Sequence, residues 1–251
     1  MGGICLQGKG NVSIQRLLSH MRKAVEDYNM IKQGDKIAIG VSGGKDSLAL
    51  LYCMNELQKF YPKSFELVAI TLSLGNEGFD TNALIDIYKK LDIQYHIEDT
   101  QISKIVFDVR NEKNPCSLCS NMKRGAVHNT AKKLGCNKVA FGHHKDDVVE
   151  TFLLALLYEG RIHTFSPVTY LDRKDITLIR PLIYIKEDMI KSYIENANIT
   201  PIPSACKVDG KTKRTDIKQI IQTLMKDNKN IKDNLFGAIQ RSNINGWHPP
   251  L

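Results

Sequence analysis

The sequence predicts an α/β fold: a parallel five-stranded sheet with helices on both faces, a short N-terminal helix and a helical C-terminal extension. Three observations predict it. Short segments rich in Val, Ile and Ala alternate with longer segments of helical period along most of the chain, the pattern of strands joined by crossover helices. Three strand ends run directly into polar turns, SGGKDS at 42–47, SLGNEGFD at 73–80 and GHHKDD at 142–147. Ligands of such sheets bind beyond the carboxyl ends of the strands, so the three turns share one rim. Finally, 251 residues with 42% apolar and 25% charged side chains suit one α/β domain with small appendages. The expected division is an N-terminal helical segment at 1–30, a main domain at 31–200 and a helical segment at 201–251.

The elements follow in order. Ile14, Leu17, Leu18, Met21 and Val25 mark one face of a helix over 13–31, with Ser13 as its cap. KIAIGV (36–41) is a first strand and 48–60 a Leu-rich helix. FELVAITL (65–72) is a second strand, 81–91 a helix and 93–97 a third strand. Residues 116–134 are helical, and NKVAF (137–141) is a fourth strand. Residues 148–157 are almost wholly apolar, which predicts a helix buried all round. Segments 168–170 and 176–179 flank the turn LDRKD, and Ile179 opens a fifth strand leading into RPLIYI. Three more helices are expected, over 186–197, 213–225 and 231–241. The tail NINGWHPPL reads as loose, with Trp247 as a hydrophobic anchor.

A net charge of +8 favours a polyanionic partner, weakly. No apolar run approaches the roughly 18 residues of a membrane helix, and MGGICLQGKG lacks the apolar core of a signal peptide. No membrane association and a cytoplasmic location are expected. The six cysteines, at 5, 53, 116, 119, 136 and 206, are then thiols, and Cys-x-x-Cys reads as metal, cluster or redox chemistry. Cys53 and Cys136 sit in apolar surroundings and read as core.

SGGKDS is neither a Walker A motif nor a dinucleotide fingerprint. Its chemistry is nevertheless that of an anion cradle. Gly43 and Gly44 allow a tight turn presenting N–H groups, Ser42 and Ser47 add hydroxyls, Lys45 adds charge, and the next helix points its positive end at the loop. The string resembles the PP-loop of the N-type ATP pyrophosphatases. That family cleaves ATP between the α and β phosphates, forms an adenylate and lets a nucleophile displace AMP.

PCSLCSNMKRG (115–125), GHHKDDVVET (142–151) and Cys206 before KTKR narrow the resemblance to the tRNA 2-thiocytidine synthetase group of tRNA thiolases, over residues 14–227. GHHxDDxxET alone is shared with lysidine synthetases. The resemblance implies an adenine nucleotide alpha hydrolase-like fold and ATP with Mg²⁺ as reactants. It implies that Ser42, Gly43, Gly44, Lys45, Asp46, Ser47, Gly142 and His143 hold the nucleotide, and that Lys45, Asp46, Lys123 and Asp147 serve catalysis. It also implies a [4Fe-4S] cluster on Cys116, Cys119 and Cys206, with one iron left open for sulfide. Implied partners are tRNA, with cytidine 32 as the target, and a sulfur donor, either a cysteine desulfurase or sulfide. A homodimer is compatible with the sequence.

The residues themselves leave alternatives. Cys116 and Cys119 share one face at a helix start, which suits a cluster, a zinc site completed by His128 or His143, or a redox or persulfide pair. Asp147 and Glu150 also suit simple capping of a helix, and Lys123 and Arg124 a solvated face. Lys211, Lys213 and Arg214 fit either phosphate contact or solvation. An amide-forming ligase of the lysidine type, or a non-catalytic RNA-binding protein with a relic nucleotide site, would keep the loop but leave the cysteines unexplained.

Overall fold

The computed structural model describes residues 12–75, 80–110, 115–203 and 213–247; Cys5, Cys206 and Lys211 lie outside them. Helix α1 (Ile14–Asp27) precedes β1 (Asp35–Gly40), α2 (Lys45–Gln58), β2 (Phe65–Ser73), α3 (Thr81–Lys90) and β3 (Gln94–Asp99). A π-helical turn (Lys104–Val109) leads to α4 (Pro115–Lys133), β4 (Lys138–Ala140) and α5 (Lys145–Glu159). The hairpin β5 (Val168–Leu171) and β6 (Ile176–Ile179) is followed by α6 (Glu187–Asn196), α7 (Lys213–Asp227) and α8 (Ile231–Arg241).

The sheet has six strands in the order β3-β2-β1-β4-β6-β5. Five are parallel, as expected; the sixth, β5, pairs antiparallel to β6 at the edge. RPLIYI is not a strand. The fifth parallel strand is ITLI itself, with Ala140 opposite Ile179, and the chain turns after Arg180. Pro181 has no amide hydrogen to continue a ladder.

Alternation along β1 divides the core. Ile37 and Ile39 face one cluster with α1, α2 and α6, whereas Ala38 joins Val68, Ile70, Val139 and α4 on the other face, as a strand covered on both sides requires. Cys53 and Cys136 are core residues, and burial pushes the Cys53 thiol up to about 12. Helix α5 departs from expectation. Its first turns are covered, but Leu156, Leu157 and Tyr158 are exposed, because the helix runs past the elements that cover its start. At the amino edge of the sheet, Lys138 Nζ lies 2.7 Å from Asp35 Oδ2, with side chains only 7% and 4% exposed. Lys138 also donates to the Met30 carbonyl at 2.7 Å.

The tail is not loose as far as Trp247, which is fully buried. Its ring meets Phe236 edge-on at 5.5 Å and Tyr28 at 6.3 Å, and its carbonyl accepts from the Tyr28 hydroxyl at 3.4 Å. Trp247 is thus the hydrophobic anchor expected of it, and what differs is that the chain leading to it is held in place. Trp247→Ala is expected to lower unfolding free energy by about 3–5 kcal/mol, measured by urea denaturation. A loss below about 1 kcal/mol would mean that the tail contributes little to the core.

Candidate active site

The chain leaves β1 and turns through Ser42, Gly43 and Gly44 into α2. Gly43 has φ +81°, a left-handed conformation that glycine adopts without a Cβ clash. No side chain caps Gly44. The first amides of a helix lack intrahelical partners, so those of α2 are donors at the positive end of its dipole. Ser47 fastens the loop: its Oγ donates to the Gly44 carbonyl at 2.9 Å and accepts from the Ser42 amide at 3.2 Å. From the other side, the Ile202 amide donates to the Gly43 carbonyl at 2.9 Å.

β4 pairs with β1, which brings GHHKDD beside SGGKDS. A Cβ on Gly142 would stand 2.8 Å from the Asp46 carbonyl oxygen, so only glycine allows this approach. His144 then caps α5. Its Nδ1 accepts from the Asp147 amide at 3.4 Å, and Asp147 Oδ2 accepts from the His144 amide at 3.0 Å. His144 Nε2 lies 3.6 Å from Asp46 Oδ1 and 3.5 Å from Asp147 Oδ2. The two expected catalytic carboxylates thus converge on His144, which is not among the site residues that the resemblance implies.

Cations and acids interlock here. Lys45 Nζ lies 2.9 Å from Asp46 Oδ2 and 3.0 Å from Glu187 Oε1. Lys191 and Lys218 reach Glu187 at 3.3 and 3.6 Å. Arg214, from α7, meets Asp147 at 2.8 Å and Glu150 at 3.7 Å and donates to Thr151 Oγ1 at 3.1 Å. Burial alone would lower the Lys45 ammonium, but Asp46 and Glu187 outweigh it and raise it. Burial would raise Glu187, but Lys45, Lys218 and Lys191 hold it down at about 2. At Glu150 burial prevails over Lys218 and Arg214 and lifts the carboxyl to about 7. Glu187 and Lys218 escaped the sequence reading, because an acid in a first helical turn and a lysine on a helix face look ordinary.

The His143 ring packs against Phe165, with centroids 4.9 Å apart. Burial, then the charge of Arg180, lowers it to about 4, so this imidazole is neutral at pH 7. Arg180, also unforeseen, lies over Phe165 at 4.9 Å and donates to the Ser166 carbonyl and Thr169 Oγ1.

Helix α4 starts at the same rim, being the crossover from β3 to β4. Pro115 occupies its first position, where proline is favoured. Cys116 is exposed and Cys119 half-buried, one turn apart. Lys123 follows by another turn, half-buried, and Arg124 is exposed. Two thiols presented together on a helix start fit as iron–sulfur ligands. Among the described residues no three His, Cys, Asp or Glu side chains are grouped as a metal site, and Cys206 lies outside them.

The model of the PP-loop domain family (ATP_bind_3) matches residues 12–224. Curated relatives called tRNA-cytidine(32) 2-sulfurtransferase are 34% identical in Geobacter sulfurreducens, covering 91% of this chain and 90% of the relative, and 37% identical in Bordetella pertussis, covering 93% and 73%. The chain belongs to the PP-loop family, in its tRNA-cytidine(32) 2-sulfurtransferase group. Among solved structures, the U34-tRNA thiolase of Methanococcus maripaludis with its [4Fe-4S] cluster superposes with a TM-score of 0.73 at 26% identity, covering 91% of this chain and 78% of that one. This PP-loop protein therefore shares its fold with a protein that carries such a cluster.

Glu150 yields a test of the site's electrostatics. A carboxyl near 7 when folded and 4.5 when unfolded binds its proton more tightly in the folded state. The stability it contributes is present below pH 4.5 and is lost as pH rises through about 7. Glu150→Gln is expected to lose less stability than wild type between pH 4.5 and 7, by on the order of 3 kcal/mol at most, in urea titrations across that window. Identical pH profiles for the two proteins would refute a buried, proton-retaining Glu150.

Proposed function

We propose that this chain is an ATP-dependent tRNA sulfurtransferase, adenylating the C2 oxygen of cytidine 32 and replacing that oxygen with sulfur. One observation carries the reading beyond the family: the uncapped glycine loop and the Cys116–Cys119 helix start belong to the same rim of the sheet. An amide-forming ligase needs the first and leaves the second without a role.

ATP lies with its β and γ phosphates against the amides at the start of α2. Lys45 exchanges Asp46 and Glu187 for phosphate oxygens. Asp46 and Asp147, already close to one histidine, are the acids that would hold Mg²⁺, which neutralises charge on the phosphates. The target cytidine is taken out of its stack so that its C2 oxygen reaches the α-phosphorus. That oxygen bonds to phosphorus as the α–β bridging P–O bond breaks, and pyrophosphate leaves into the cradle. In this reading Lys123 balances charge on the α-phosphoryl group. Incoming sulfur then bonds to C2, and AMP departs with the former base oxygen. A [4Fe-4S] cluster on Cys116, Cys119 and Cys206 would supply, when bound, an iron site for that sulfur. The sulfur comes from sulfide, or from a cysteine desulfurase whose persulfide is reduced to the sulfide level by two electrons from thiols. The setting is the cytoplasm, where thiols stay reduced, and a homodimer is compatible with this reading.

The decisive experiment is mass spectrometry of tRNA nucleosides from cells lacking the gene, with 2-thiocytidine expected to vanish; its persistence would exclude the reading. Lys45→Ala is expected to lower tRNA-dependent pyrophosphate release by on the order of 100-fold while the fold changes by about 1 kcal/mol or less. Near-normal release by the folded variant would remove Lys45 from the phosphate site.

A further inference from the structure

A second feature lies beside this site. Helices α1 and α8 and the stretch between β6 and α6 enclose an open groove of about 690 Å³. His20, Lys23, Lys145, Lys186 and Arg241 line it, against Asp27 as the single acid of the lining. The Asp27 carboxylate is engaged by the Tyr184 hydroxyl at 2.9 Å. Lys23, Lys186 and Arg241 are solvent-exposed.

The groove leads to the chemistry through the chain itself. Lys145 follows His144, which stands at Asp46, and Lys186 precedes Glu187, which holds Lys45. The two lysines share Asp233, at 2.6 and 2.8 Å, and the Lys145 amide bonds the Ile185 carbonyl at 2.9 Å. Phe236 and Trp247 are buried and packed edge-to-face, so neither offers a face for a base to stack on, and the half-buried Tyr184 is packed between Tyr28 and Phe236. Exposed positive charge remains, along an open groove rather than in a closed pocket. That chemistry fits a strand of phosphates passing through. α8 and Trp247 form one wall, and both lie beyond residue 224, where the family match ends.

We infer that this groove docks the phosphate backbone of the substrate tRNA, with Lys23, Lys186 and Arg241 as the cations that meet it; the inference rests on the sulfurtransferase reading. It gives the C-terminal helix a task outside the reaction, that of completing an RNA surface continuous with the phosphate loop.

The test uses the full chain and unmodified tRNA in fluorescence anisotropy between about 50 and 200 mM KCl. Each lost phosphate contact flattens the slope of log affinity against log salt by about 0.7–0.9. Lys23→Gln with Arg241→Gln is expected to flatten it by about 1.4–1.8 and to weaken binding at low salt. Lys23→Glu with Arg241→Glu should weaken it further. ATP binding without tRNA, measured by calorimetry, should stay within twofold of wild type in both. A wild-type slope in the Gln pair overturns the groove and leaves the sulfurtransferase reading intact. Loss of ATP binding in the Gln pair also overturns it, since those residues would then act through the fold or the nucleotide site. Failure of the wild-type chain to bind tRNA at any salt overturns the sulfurtransferase reading together with the groove.

Discussion

The approach of the Gly142 backbone to the first turn of α2 is the constraint on which the rim depends. With a carbonyl oxygen 2.8 Å from the position of any Cβ, no side chain fits. β1 and β4 are neighbours in the sheet, and this contact converts adjacency of strands into adjacency of loops. SGGKDS and GHHKDD are separated by about a hundred residues of chain, yet Asp46 and Asp147 come to stand around one imidazole. Move the two loops apart and Asp46, on the cradle itself, loses both His144 and its fellow acid Asp147.

The charges at the rim are stored in paired form. Lys45, Lys191, Lys218 and Arg214 hold carboxylates from α2, α5 and α6, and Arg214 and Lys218 bring in α7. The cations are 27–47% exposed, so water screens each pair and losing one partner costs little stability. Such a network keeps its cations oriented while no phosphate is bound and lets phosphate take the place of a carboxylate. Glu150 is the exception. Among the most enclosed of these acids, it retains a proton close to neutral pH because its cations lie 3.6 Å away or more.

Much of this was legible in the sequence, for physical reasons that differ by element. β1, β2 and β4 are buried on both faces, so continuous apolar runs gave them away. The phosphate loop was legible because glycine, serine and lysine have few other reasons to occur together between a strand and a helix. The edge was harder. ITLI reads as half of a hairpin or as the opening of a strand, and only tertiary pairing with β4 decides that it is itself the fifth parallel strand. At the site, Glu187, Lys218 and Arg180 carry no local mark; their part comes from distant segments folding onto them. The part of His144 depends on a cap: it bonds the start of α5 and thereby faces the acids, while the ring of His143 packs on Phe165.

The Lys138–Asp35 pair stands at the opposite end of the strands from all of this. There a buried ion pair, with Lys138 also bonded to the Met30 carbonyl, fixes the relative placement of β1 and β4 where they begin. Anchorage and chemistry are thus assigned to opposite poles of the same two strands. Such a scaffold is open to change at one pole alone. Loops at the carboxyl ends can acquire new nucleophiles, new bases or new partners over generations while the alignment that brings them together is guarded elsewhere, out of reach of the selection acting on the reaction.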